Sequence, residues 1–342
     1  MHPARLAAKI QGQIERFSGK VSRGLTKPAA RMVREVLVGI QARGSVRLSE
    51  IGRALGEPTA LKKVIERLGR HLKRREVRER VEKNLLELGA ERVGEETLLI
   101  VDPTDISKPH ARRMEHLAQV RDGSTGKIGP GYWCCQVVGV ERDSPDVIPL
   151  YQALYSQRAP DFVSENQEVK KATGAVLEAT GGRGVVVIDR GGDRRELLEP
   201  LVREERAFVI RMRGDRHVEH RRRKQAVEVV AAGCRLRYRA TVVKEEGAKE
   251  KEYRLRFGAT TVRLPGWRKP LTLVVVRGLG TKPLMLLTSL PQGSRKRVWR
   301  VVESYLAIAD GIKNSLFGRS RPVQAPEPPP QPPNLPLFPL GP

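Results

Sequence analysis

Apolar residues recur at helical spacing through the first part of the chain. Met32, Val36, Val38 and Ile40 mark a helix over 29–42. Leu48–Leu55 reads as a short helix stopped by Gly56, and Pro58-Thr59-Ala60 opens a second helix over Leu61–Leu72. The pattern then changes period. Leu98-Leu99-Ile100-Val101 and Val185-Val186-Val187-Ile188 are short, mostly β-branched runs, the signature of strands buried on both faces. Each is followed at once by an aspartate, Asp102 and Asp189.

Between and beyond these runs the signals alternate. Residues 96–106 read as a strand with a polar end, and 121–130, rich in glycine, as a loop. Residues 131–141 and 147–155 read as antiparallel strands, 163–179 as a helix with Ser164 as a possible cap, 194–205 as a helix and 207–212 as a strand. The order β-β-β-α-β-α-β matches a ribonuclease-H-like core. The expected fold class is therefore α/β, a ribonuclease-H-like mixed sheet carrying a β-rich insertion and preceded by an all-α N-terminal region. The expected divisions are 1–95 helical and DNA-binding, 96–212 catalytic core, 213–291 basic insertion, 292–321 last core helix and 322–342 a disordered proline-rich tail. The insertion shows alternating strands at 235–243, 252–257, 260–264, 271–277 and 284–290. No internal repeats occur.

Charge sharpens this division. The chain carries 64 Lys+Arg against 39 Asp+Glu over 342 residues, a net charge of +25. That excess favours a polyanionic partner, nucleic acid before membrane. The surplus is segregated: net +11 over 1–95, −3 over 96–210, +13 over 211–291 and +4 over 292–342. A DNA-cutting enzyme with gripping flanks around a metal centre fits this distribution better than a uniformly basic RNA binder. Three cysteines without a Cys-x-x-Cys pair argue against a zinc ribbon or a disulfide framework and fit a reducing cytoplasm. No signal core and no run of transmembrane length is seen, so no membrane partner is expected.

The candidate chemistry follows from these placements. Asp102 and Asp189 sit at or near carboxyl ends of strands, the edge where ligands gather in open α/β sheets. Paired carboxylates repel unless a cation lies between them, and hard oxygen ligands suit Mg²⁺ or Mn²⁺. The two helices around Gly56 have a helix-turn-helix pattern, with Lys62, Lys63, Arg67, Arg70 and Arg74 as candidate phosphate contacts. The basic, strand-rich insertion would serve as a DNA cradle, with Trp267, Arg268 and Lys269 as its best DNA candidates. Trp133 and Trp299 are expected in the core. Cys134-Cys135 reads as one inward and one outward strand residue, and His217-Val218-Glu219-His220 as a surface turn without a third metal ligand.

Taken together, these motifs resemble the DDE transposases of the insertion-sequence-four type. Asp102-Pro103-Thr104-Asp105-Ile106-Ser107-Lys108-Pro109 is similar to that family's first-aspartate motif. Ile188-Asp189-Arg190-Gly191-Gly192-Asp193-Arg194 is similar to the second, and Lys282–Ser289 to the strand ending its insertion. Arg67–Leu72 also fits, and the similarity spans about 45–307. The resemblance implies a ribonuclease-H-like fold and two Mg²⁺ (or Mn²⁺) ions that activate water or a DNA 3′-hydroxyl for attack on a phosphodiester. It implies Asp102 and Asp189 as catalytic metal ligands, Arg190 as a phosphate contact, and Asp105 and Asp193 as orienting groups. The partners it implies are double-stranded DNA, as element ends and target, and a second copy of the chain during synapsis.

The third motif departs. Tyr305, a further candidate DNA contact, begins it, but the family's arginine position is Ile308, its glutamate position Ile312, and only Arg319 keeps a cation where the lysine belongs. Asp310 and Glu303 lie roughly 200° and 180° around an α-helix from position 312. The abrupt change suggests a frameshift or rearrangement and an impaired transposase, with a weakened second metal and core surface left uncovered. The alternatives are a catalytically dead DNA-binding remnant and a ribonuclease-H-like nuclease unrelated to transposition.

Overall fold

The computed structural model describes residues 3–123, 125–141, 146–246, 249–291 and 293–316, and leaves aside the side chains of 3, 4, 6, 244–250 and 309–316. The tail expected at 322–342, and Arg319, lie outside the described residues. The chain divides into two compact units, with the boundary between Leu88 and Gly89.

The first unit is helical: α1 (Pro3–Val21), α2 (Lys27–Arg43), α3 (Leu48–Leu55), α4 (Leu61–Leu72) and α5 (Arg75–Ala90). Gly44 and Gly56 end α2 and α3 in the left-handed conformation, as helix stops commonly do. Ala29, Met32, Ile51, Val64, Leu68 and Val77 form the core. At its centre α2 and α3 approach at Gly39, where a Cβ would lie 2.5 Å from the Ile51 side chain and 2.9 Å from its Cα. Beside this contact Glu35 is only 1 % exposed and accepts from Arg31 Nε at 2.6 Å and from Arg67 at 2.6 Å, while Arg67 also reaches Glu57 at 2.6 Å. Asn84 closes the other end by donating to the carbonyls of Val21 and Arg23, both at 2.9 Å.

The second unit is built on one mixed sheet. Its elements are β1 (Leu98–Ser107), β2 (Ala118–Arg121), β3 (Ile128–Val140), β4 (Val147–Tyr155), α6 (Glu165–Ala179), β5 (Val185–Ile188), α7 (Arg195–Arg203), β6 (Phe208–Arg211), β7 (His217–His220), β8 (Arg223–Ala226), α8 (Val227–Ala232), β9 (Tyr238–Glu246), β10 (Lys249–Val262), β11 (Leu271–Arg277), β12 (Leu284–Thr288) and α9 (Arg295–Leu316). The strand order is β2-β3-β1-β5-β6-β12-β11-β10-β9, with β4 on β3 and a separate β7-β8 hairpin. Among the described residues only β1–β5 and β5–β6 pair in parallel. Ser164 caps α6 by accepting from the Gln167 amide at 3.1 Å. No helix among the described residues is long and apolar enough to cross a membrane.

Several elements differ from the sequence reading. β1 does not stop near Asp102: antiparallel β3 pairs with it from Leu98 to Ser107, so Asp102 lies mid-strand. The stretch read as a loop over 121–130 contains the start of β3, and β2 was unforeseen. The strands expected at 252–257 and 260–264 are one strand, β10, and β9–β12 extend the same sheet as β1 and β5 instead of standing beside it. Alternation within a short window reports which residues face inward, but not which strand lies next door. Cys134 and Cys135 are both buried, because both faces of β3 are covered. The last helix does not leave the core bare. Val298, Val301, Val302 and Leu306 pack with Leu98, Ile100, Val185, Val187, Val209, Phe257 and Leu286.

Replacing Gly39 by alanine tests the helical core. Helix propensity favours alanine by about 1 kcal/mol, but the added methyl meets backbone, and forced separation of packed elements costs about 1–3 kcal/mol. Urea denaturation is expected to show net destabilisation. A more stable variant would contradict the close α2–α3 contact.

Candidate functional site

Strand register brings Asp102 and Asp189 together. β1 and β5 run parallel with Val101 opposite Ile188, so the two aspartates occupy the next rung on neighbouring strands, roughly 5 Å apart along the hydrogen-bonding direction. Side chains alternate along a strand. Leu98 and Ile100 on β1, and Val185 and Val187 on β5, pack in the core under α9. Asp102 and Asp189 continue those two rows and leave the sheet on the α9 face.

The next strand and the covering helix supply the neighbours. Arg211, at the end of β6, reaches Asp189 Oδ1 at 3.3 Å, and the Tyr305 hydroxyl on α9 donates to the same oxygen at 2.7 Å. Arg211 also donates to the Tyr305 hydroxyl at 2.9 Å and lies 5.8 Å from its ring centroid. Burial pushes the Tyr305 hydroxyl pKa up, and its bond to Asp189 adds to this, so it stays a neutral donor. Burial would lower the Arg211 pKa, but Tyr305 and Asp189 outweigh it and the guanidinium remains charged. Asp189 is still 55 % exposed.

Among the described residues Asp102 meets no such cation. Across the ladder it faces the buried Gln136 side chain. Burial raises the Asp102 carboxyl above the usual range; the Gln136 amide works against this, and the charge of Asp189 reinforces it. Cys134 lies on the same row of β3 as Gln136 and accepts from Gln152 at 3.5 Å. Burial pushes the Cys134 thiol up and the Cys135 thiol to about 12, which leaves both as protonated core groups and not nucleophiles.

The other sequence candidates fall into distinct environments. Arg190 is exposed in the 3₁₀ turn directly after Asp189. Asp193, buried at the end of that turn, accepts from the Arg213 amide and Arg216 Nε, both at 2.7 Å, and so fixes the loop after β6. Asp105 accepts from the Gly123 amide at 2.9 Å. Trp267 is half-buried in a cleft of about 410 Å³ shared with Asp193, Arg213 and Arg216. Arg268 is exposed, while Lys269 pairs with Glu205 at 2.7 Å. Lys62, Lys63 and Arg70 are exposed on the side of α4 away from Val64 and Leu68, and Arg74 is exposed in the link between α4 and α5. Arg67 differs from the others in this set. Its ion pairs with Glu35 and Glu57 make it a strut of the helical core.

On α9, Glu303 is exposed and Ile308 packs against the core, as the helical spacing requires. The side chains of Asp310 and Ile312 lie outside the described residues. Among the described residues no third His, Cys, Asp or Glu joins the two aspartates. Sequence reading missed Arg211 and Gln136. Both carried a signal: Arg211 ends the apolar run Phe208-Val209-Ile210 just as the aspartates end theirs, and Gln136 interrupts the apolar run of β3.

No protein-family model matches the chain, and no curated protein matches it. Among solved structures it is similar to a piggyBac transposase in a synaptic complex with hairpin DNA, seen by cryo-electron microscopy. The TM-score is 0.47 at 12 % identity, over 85 % of this chain and 59 % of that one. The chain thus spans somewhat over half the length of that transposase.

Asp102 yields a test of the site's electrostatics. Burial raises its native pKa, so the stability present below the unfolded carboxylate pKa of about 3.9 is lost as the pH rises through the native value. Asp102→Asn is expected to melt higher than the parent at neutral pH, with the gap closing on acidification. A gap that is absent, or independent of pH, would remove the case for a buried, destabilised carboxylate at this position.

Proposed function

We propose that this chain is a DDE-type transposase, ribonuclease-H-like in its sheet, which binds insertion-element DNA ends and carries two of the three carboxylates used for strand cleavage and transfer. One observation carries the reading: the parallel β1–β5 register sets Asp102 and Asp189 side by side on the face covered by α9. Mg²⁺ is commonly held by one or two carboxylates together with substrate phosphate oxygens, and two adjacent aspartates suit that role. When bound there, Mg²⁺ or Mn²⁺ would lower the pKa of the attacking hydroxyl and stabilise charge on the phosphoryl oxygens.

The surrounding residues then take defined tasks. Arg211 compensates the charge of Asp189, and the Tyr305 hydroxyl fixes that carboxylate's orientation. Arg190, exposed next in the chain, holds the phosphate of the strand being cut. Lys62, Lys63, Arg70 and Arg74 grip duplex phosphates from the helical unit. Two copies of the chain would bring two DNA ends together.

A second reading, a DNA-binding remnant that no longer cuts, has its own support. No third acidic ligand stands near the pair among the described residues, and isoleucines fill the positions of the family's arginine and glutamate on α9. Position 312 follows Tyr305 by seven residues, about two helical turns along one stripe.

Titration calorimetry with Mn²⁺ is expected to find a weak site that Asp102→Asn and Asp189→Asn each abolish. The parent should bind a labelled element end and release little or no cut strand, and Ile312→Glu should raise Mn²⁺-dependent cleavage. Metal binding untouched by both aspartate substitutions, or cleavage that survives them, would reject the proposal.

A further inference from the structure

A cluster of arginines without ion pairs among the described residues lies away from the two aspartates. Register places Arg256 of β10 directly opposite Arg239 of β9 on one side and Arg277 of β11 on the other. All three are exposed. Leu255 and Phe257, the neighbours of Arg256 in sequence, are buried in the core under α9, so alternation puts the arginine rung on the opposite face. Like charges directly across a ladder repel each other. A sheet tolerates such a rung most readily when a polyanion neutralises it.

The rung continues into a groove. One cleft, of about 810 Å³, is lined by Arg235, Arg237, Arg256 and Arg277. It shares Arg235 and Arg237 with a second, of about 970 Å³, which adds Arg221 and Arg223 from the β7-β8 hairpin. Among the described residues no acidic side chain lines either cleft. None of these six arginines makes an ion pair among the described residues, whereas Arg67, Arg194, Arg211 and Arg216 each meet a carboxylate. The floor is fixed by backbone contact. A Cβ on Gly258 would lie 2.2 Å from the Arg235 carbonyl oxygen, so the segment leading into β9 rests directly on β10 and holds Arg235 and Arg237 beside the rung.

We propose that this groove binds the phosphate backbone of duplex DNA, as an anchoring surface separate from the carboxylate pair. The choice of DNA rests on the function proposed above; the choice of a duplex rests on the lining. Single-stranded nucleic acid is held by stacking bases on aromatic rings, and among the described residues only Tyr238 and His220 present a ring to these clefts. Planar guanidiniums suit phosphate oxygens.

The test uses the full chain and a fluorescent duplex of about 30 base pairs, with anisotropy read across a salt series. An Arg256→Gln, Arg277→Gln double variant is expected to bind about tenfold or more weakly near 0.1 M salt, with the slope of log K against log salt shallower by about 2. The Arg256→Lys, Arg277→Lys pair should keep the parental slope. Parental affinity and slope in the glutamine variant would overturn the proposal. So would a loss confined to single strands or to duplex RNA. Duplex binding by the parent is read without divalent metal, so a failure of strand cleavage is told apart from a failure of this groove.

Discussion

Everything at the candidate site depends on the repulsion created where β1 and β5 run side by side. Two carboxylates one strand apart, on a face that a helix covers, are costly unless positive charge or hydrogen-bond donors surround them. The structure answers this unevenly. Asp189 receives the Arg211 guanidinium and the Tyr305 hydroxyl, while Asp102 faces the Gln136 side chain across the ladder. One carboxylate is compensated and the other is left with a raised pKa. The α9 helix contributes to this asymmetry directly through Tyr305.

The arginines serve three physical roles that composition alone merges into one surplus. Arg31 and Arg67 neutralise buried Glu35 inside the helical unit. Arg216 secures Asp193 and thereby the turn that follows Asp189. Those along the groove from the β7-β8 hairpin to β11 meet no carboxylate among the described residues. Breaking a buried pair leaves an uncompensated charge and is strongly destabilising, whereas removing an exposed, mutually repelling arginine is not. Structural arginines and exposed, unpaired ones are therefore separated by burial and partner, not by their place in a basic run.

Much of the architecture was legible in the chain. The helices over 27–43, 48–55 and 61–72 follow from apolar spacing and from Gly44 and Gly56, and the strands leading to Asp102 and Asp189 follow from their β-branched runs. These are local signals, set by backbone sterics and side-chain period. The ion pairs of Arg67 were not legible because its partners, Glu35 and Glu57, lie 32 and 10 residues away in sequence. Arg211 and Gln136 were passed over because a polar residue in an apolar run acquires meaning only when its neighbouring strand is known.

The sequence by itself determined the elements, the segregation of charge and the two aspartates at the ends of apolar runs, because each depends on residues close along the chain. Tertiary structure alone decided that β1 lies beside β5, that β9 to β12 extend that same sheet, and that Arg239, Arg256 and Arg277 share a rung. Pairing across a sheet is fixed by long-range burial of whole faces, and no short window of sequence carries that information.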